Sequence, residues 1–156
     1  MKRLALVLAT VLFPPGSAFA AQCEPTGAAR SELRAVLDAV NAHRKSEGRK
    51  PLERDARIDK AAQGQACDMA ARGKLTHDGN GGPKRRMKKD GCNARLTGEA
   101  IAMGQRNAGE VVASWMQSPP HRKILLLPNA RVAGLGLAPG GKDGRPYWVL
   151  DVADGC

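Results

Sequence analysis

The sequence predicts an α+β fold in which several helices pack on one small sheet. Two observations carry that expectation. Apolar residues recur at helical spacing through most of the chain, whereas the C-terminal part reads as two strands around a turn. Helices first and strands last argue for helices laid on a sheet. There is also no internal repeat and no low-complexity linker, so one compact domain is expected.

The first residues read as an export leader. Lys2 and Arg3 form a short positive region, Leu4 to Phe13 an apolar stretch, and Ser17-Ala18-Phe19-Ala20 a small-residue cleavage site. Pro14-Pro15 stops the apolar run, which is too short to cross a bilayer. Cleavage after Ala20 would leave a single domain over residues 21–156, with no further segment long enough to span a membrane. No Leu-x-x-Cys pattern precedes Cys23, so no lipid-anchored cysteine is expected.

The helices follow in order. Ser31 is the expected cap of the first, with Leu33, Val36, Leu37 and Val40 on one face; Gly48 ends it and Pro51 blocks its continuation. Asp55 caps the second, whose face of Ile58, Ala61, Ala62, Gln65, Ala66, Met69 and Ala70 is small enough for close packing, and Gly73 closes it. A turn cluster, Gly79-Asn80-Gly81-Gly82-Pro83, leads into a short basic helix ended by Asp90-Gly91. Leu96 to Ala102 is a short strand containing Glu99. Asn107 caps a helix with Glu110 three residues on, a capping-box-like pair, and Val111, Val112, Trp115 and Met116 give its apolar side. Ser118-Pro119-Pro120-His121 reads as another cap with proline at the first helical position, and Pro128 ends that segment. Val132 to Ala138 and Pro146 to Val152 then flank the turn-rich residues 139–144 as an antiparallel hairpin.

Four cysteines, Cys23, Cys67, Cys92 and Cys156, lie after the leader. An even number in an exported chain reads as two disulfides, and no Cys-x2-Cys spacing supports a zinc site. Of the three connectivities, Cys67–Cys92 with Cys23–Cys156 is preferred: one ties a helix to the following loop, the other joins the termini. The formal charge is +10, falling to +8 when Lys2 and Arg3 leave with the leader. Such a surface favours anionic partners. The densest run, Lys84 to Lys89, is expected to be a solvated helix face. Only Trp115, Tyr147 and Trp148 remain as aromatics after cleavage, which argues against single-stranded nucleic acid as partner.

Four segments in order resemble the bacterial CAP superfamily, the SCP-like proteins. They are Met69-Ala70-Ala71-Arg72-Gly73-Lys74-Leu75-Thr76-His77-Asp78-Gly79; Gly98-Glu99-Ala100-Ile101-Ala102; Val111 to Arg122, containing Trp115-Met116-Gln117-Ser118-Pro119-Pro120-His121-Arg122; and Val132-Ala133-Gly134-Leu135-Gly136 followed by Tyr147-Trp148-Val149. Asn41-x-His43-Arg44 also fits the family's first helix, and together the matches run over about residues 31–153. The resemblance implies an α-β-α sandwich, helices flanking a small, mostly antiparallel sheet. It also implies a central cleft where two histidines and acidic groups meet and where some members bind zinc.

By motif position His77 and His121 take the places of the histidines, and candidate metal ligands, and Glu99 that of the first glutamate, a candidate catalytic base. The second glutamate falls near Ser118, beside Gln117, while Glu110 lies too far upstream, so the acidic set is incomplete. Ala100, Pro120 and Ile124 replace an asparagine, a glycine and an asparagine of the family pattern. His121 in the first turn of a helix is expected to be neutral, since the dipole disfavours imidazolium there. Ser118 belongs to the cleft as a cap, with no nucleophile-elbow motif around it. The expectation is an exported, secreted or periplasmic monomer. It would bind a lipid, a sterol or an anionic envelope polymer and require no cofactor, with zinc as the candidate metal. The alternative is a zinc-dependent hydrolase of peptide, ester or cell-wall substrates using the same cleft.

Overall fold

The computed structural model describes residues 23–140 and 144–156; the expected leader lies outside them. Helix α1 (Gly27–Ser46) begins before the predicted Ser31, because the Thr26 side chain accepts a hydrogen bond from the Ala29 amide at 3.2 Å and caps it there. The two-residue strand β1 (Glu53–Arg54) follows. Helix α2 (Ala56–Arg72) is capped by Asp55 and ends at Gly73 in the left-handed conformation, as its sequence signals require. A single 3-10 turn (Gly79–Gly81) leads to α3 (Pro83–Lys89). Strand β2 (Thr97–Met103), helices α4 (Ala108–Gln117) and α5 (Pro119–Leu125), and strands β3 (Val132–Ala138) and β4 (Tyr147–Ala153) complete the order.

The strands form one sheet in the order β1-β3-β4-β2, with β4 antiparallel to both neighbours and β1 parallel to β3. Trp148, Leu150 and Val152 face α1 and α4, where they meet Leu33, Val36, Val40, Val112 and Trp115. Tyr147 and Val149 face the other way, onto Ala62, Ala66 and Met69 of α2. Every residue of β4 is buried because helices cover both faces, giving the α-β-α sandwich. Close approach of α2 to the sheet depends on glycine: a Cβ on Gly134 would run into the backbone of Ile58 and Asp59, and one on Gly136 into that of Ala62.

Two polar side chains of α1 tie this frame together. Arg44 is fully buried and donates to the carbonyls of Lys50, Leu125, Leu127 and Ala130, at 2.7 to 3.2 Å. Asn41 pairs with both backbone groups of Leu52.

The expected disulfide pairing is wrong. The bonds are Cys23–Cys67 and Cys92–Cys156, not Cys67–Cys92 and Cys23–Cys156. The register of the sheet explains the second bond: Thr97 pairs with Ala153, so running the two strands out past that point brings Cys92 and Cys156 together. The first follows from Gln63, which donates to the Cys23 carbonyl at 2.7 Å and holds the entering chain one helical turn from Cys67. The bonds close separations of 44 and 64 residues, each worth about 4 kcal/mol on the chain-entropy account. Among the described residues no helix is long and apolar enough to cross a membrane.

Candidate functional site

The site forms at β2, an edge strand of the sheet, where α5 and the loop after α2 approach it. That loop is held by three hydrogen bonds from two side chains. The buried Gln65 amide donates to the Thr76 carbonyl at 2.5 Å, and one guanidinium nitrogen of Arg86 donates to the carbonyls of His77 at 3.0 Å and Gly79 at 2.6 Å. His77 is thereby placed with Nδ1 at 2.7 Å from Glu99 Oε1. The other nitrogen of Arg86 donates to Glu99 Oε2. The His77 side chain is 52% exposed and that of Glu99 only 1%, so the imidazole, not the carboxylate, faces solvent.

Behind Glu99 lies an acidic partner that sequence reasoning missed. Asp151 stands opposite Glu99 in the β2–β4 register and is fully buried. Burial raises its pKa well above the usual carboxylate range, the neighbouring Glu99 charge adds to this, and Arg86 opposes it. No donor reaches either Asp151 oxygen among the described residues, which together with burial favours its protonated form. The signal was present, as a lone acid within the apolar run Trp148 to Val152. Arg86 was missed for a different reason. It sits in the basic run read as a solvated face, yet it is 4% exposed and its neighbour Met87 is fully buried. Within a helix as short as α3 there is too little periodicity to separate an inward arginine from outward ones.

On the far wall, His121 Nδ1 is hydrogen-bonded to Ser118 Oγ at 2.9 Å. Ser118 does occupy the N-cap position of α5, but its side chain makes no capping bond, contrary to the sequence expectation. With proline at 119 and 120, the second residue of the helix has no N–H to offer, and the hydroxyl turns to the ring instead. His121 has a pKa below its ordinary value, first through partial burial and then through the charge of His77. Glu110 is not part of it and pairs with Arg106 at 2.7 Å on the surface. Trp115 and Trp148 are core anchors, each donating its indole N–H to a backbone carbonyl. The substitution Ile124 packs against the core beside Gly98.

The sequence profile of the cysteine-rich secretory protein family, CAP, matches residues 37–152. The chain belongs to that family. YkwD of Bacillus subtilis is 37% identical over 108 residues, which are 68% of this chain; the CAP domain described here spans 42% of the length of that relative. An outer surface protein of Borrelia burgdorferi has the same fold, with a TM-score of 0.74 at 22% identity over 81% of this chain and 95% of its own. So does an extracellular protein containing an SCP domain from Bacillus anthracis, with a TM-score of 0.70 at 23% identity over 82% of this chain and 43% of its own.

The donor set of this CAP domain can be tested against zinc. A hydrolytic zinc centre takes three protein ligands and keeps one position open. Here both Glu99 oxygens are engaged by His77 and Arg86. Among the described residues no group of three or more His, Cys, Asp or Glu side chains could hold a metal ion. The residues do not fit a three-ligand centre. What they offer is two imidazoles, one of them backed by a carboxylate.

Proposed function

We propose that this protein is an exported CAP-domain binding module for an anionic ligand of the cell envelope, with the cleft between His77 and His121 as its contact surface. The observation that carries the reading is the closure of Glu99 between Arg86 and His77, which takes this carboxylate away from the role of hydrolytic base. The carboxylate instead sets the orientation of His77, whose Nε2 is left for a ligand. Two disulfides and the basic surface support an exported protein that meets anionic lipid or polymer. The test is cosedimentation of oxidised protein, residues 21–156, with phosphatidylglycerol vesicles and with isolated cell walls, at low and high salt. Binding at low salt, weakened in His77→Ala and His121→Ala, is expected. Absence of binding to both at low salt, or hydrolysis of peptides, esters or peptidoglycan, would overturn it.

A second reading is favoured by the carboxylate-backed imidazole of His77 together with a His121 held toward its neutral form. Such a pair suits a divalent ion that keeps most of its water. Titration calorimetry with zinc alone decides: one equivalent, lost in each single histidine variant, supports it, and silence removes it.

A further inference from the structure

A second surface of the protein has the chemistry of an anion site, and none of the cleft residues belongs to it. Strand β1 is so short that it pairs only with Val132 and Ala133, leaving the outer edge of β3 without a strand neighbour from Gly134 onward. Side chains of α2 fill that role. Asp59 accepts from the Leu135 amide at 2.9 Å, and Gln63 both accepts from the Leu137 amide at 3.0 Å and donates to its carbonyl at 3.1 Å. With no strand there, α1 and α2 are left apart, and a groove of about 610 Å³ runs between them, with Leu33 and Leu135 at its floor.

The charges around this groove do not balance. Arg54 is paired with Asp59 and Lys60 with Asp90, each at 2.8 Å. Arg30 and Arg34, four residues apart on one face of α1, and Lys89 at the end of α3 line the groove with no side-chain hydrogen bond or ion pair among the described residues, against a single acid likewise unpaired, Glu24. The wall that carries Glu24 is fixed to α2 by the Cys23–Cys67 bond and by Gln63, so the groove is formed before any ligand arrives.

We propose that the groove between α1 and α2 binds a short run of a phosphate-bearing chain, with Arg30, Arg34 and Lys89 as its contacts. Arginine forks match phosphate oxygens, and cations spaced along a helix and across from it suit successive phosphates rather than one ion. Facing walls also favour a strand that enters the groove over a flat bilayer. Among the described residues no aromatic side chain lines it, so nothing there stacks a nucleobase. The proposal goes beyond the envelope-ligand reading above by adding a second site with its own ligand class, and it rests on that reading for its biological setting only.

The probe is inorganic tripolyphosphate, titrated calorimetrically into oxidised protein, residues 21–156, at low salt. Binding is expected, weakened at least about tenfold in Arg30→Ala/Arg34→Ala. The control Lys45→Ala/Lys123→Ala removes the same charge from elsewhere on the surface and should leave it unchanged, and thermal melts check that both variants fold. No binding, or equal weakening in the two double variants, would overturn the groove. Tripolyphosphate binding that survives His77→Ala, beside vesicles and walls that do not bind, would keep the groove and discard the envelope reading; wall binding without tripolyphosphate binding would do the reverse.

Discussion

Glu99 on β2 and Asp151 on β4 stand directly opposite each other in the antiparallel register, two buried carboxyls on neighbouring strands. The pair explains how an acid can sit inside a three-layer sandwich. Glu99 is paired with Arg86, and burial pushes Asp151 toward its neutral form.

The proton on Asp151 makes stability depend on pH with a definite sign. Below about pH 3.8 the group is protonated in folded and unfolded chains alike, and its contribution is complete. As pH rises the unfolded chain releases this proton first, so the folded state loses stability, by at most about 1.4 kcal/mol per pH unit, until the raised folded pKa is passed. Asp151→Asn keeps a neutral donor at all pH. Urea unfolding at about pH 5 and about pH 8 should show the wild type losing ground to the variant at the higher pH. A pH-independent difference would mean that Asp151 is ionised in the fold.

Arg86 is the only guanidinium in contact with Glu99 among the described residues, and it also holds the His77 loop. Replacing it with methionine leaves Glu99 without its cation and should cost about 3–5 kcal/mol in urea unfolding. Adding Glu99→Gln to that variant should recover part of the loss. Strict additivity of the two substitutions would count against the ion pair.

In metal-free protein the His121 ring should titrate below about 6.5 by NMR. Burial is the larger cause and the His77 charge the smaller, so His77→Gln should raise the His121 pKa part of the way, not restore it. Because this depression means fewer protons bound in the folded state, the His121 contribution to stability falls as pH drops through its unfolded value. Complete restoration by the variant would assign the whole effect to His77.

Two glycines should respond in opposite directions. Gly136→Ala forces a methyl into the backbone of α2 and should cost about 1–3 kcal/mol or more. Gly64, inside α2 with open space at its Cβ, should gain about 0.5–1 kcal/mol as alanine. Denaturant midpoints read both, and a neutral Gly136→Ala would mean that the α2–sheet contact is looser than described.

Much of the fold was legible because its signals are local. Asp55 and Gly73 bracket α2, Asn107 accepts from the Glu110 amide at 2.9 Å as its spacing suggested, and β3 spans the predicted residues. The start of α1 was misplaced because Thr26 and Ser31 are both competent caps and only geometry chooses between them. The cleft was half legible. His77, Glu99, Ser118 and His121 came from motif position, and the structure joins them as two hydrogen-bonded pairs. Arg86 and Asp151 complete the cluster only through sheet register and burial, which spacing along the chain does not encode. The disulfides failed for the same reason, since four cysteines fix a number of bonds and not a pairing.

That pairing joins the first cysteine to the second and the third to the fourth. A chain that emerges N-terminus first can therefore oxidise in the order of its synthesis. The loop from Cys23 to Cys67 can close while β2, β3 and β4 are still to come, and Cys92 then waits only for Cys156. Neither bond has to be broken for the other to form, so the native pairing is compatible with oxidation in chain order.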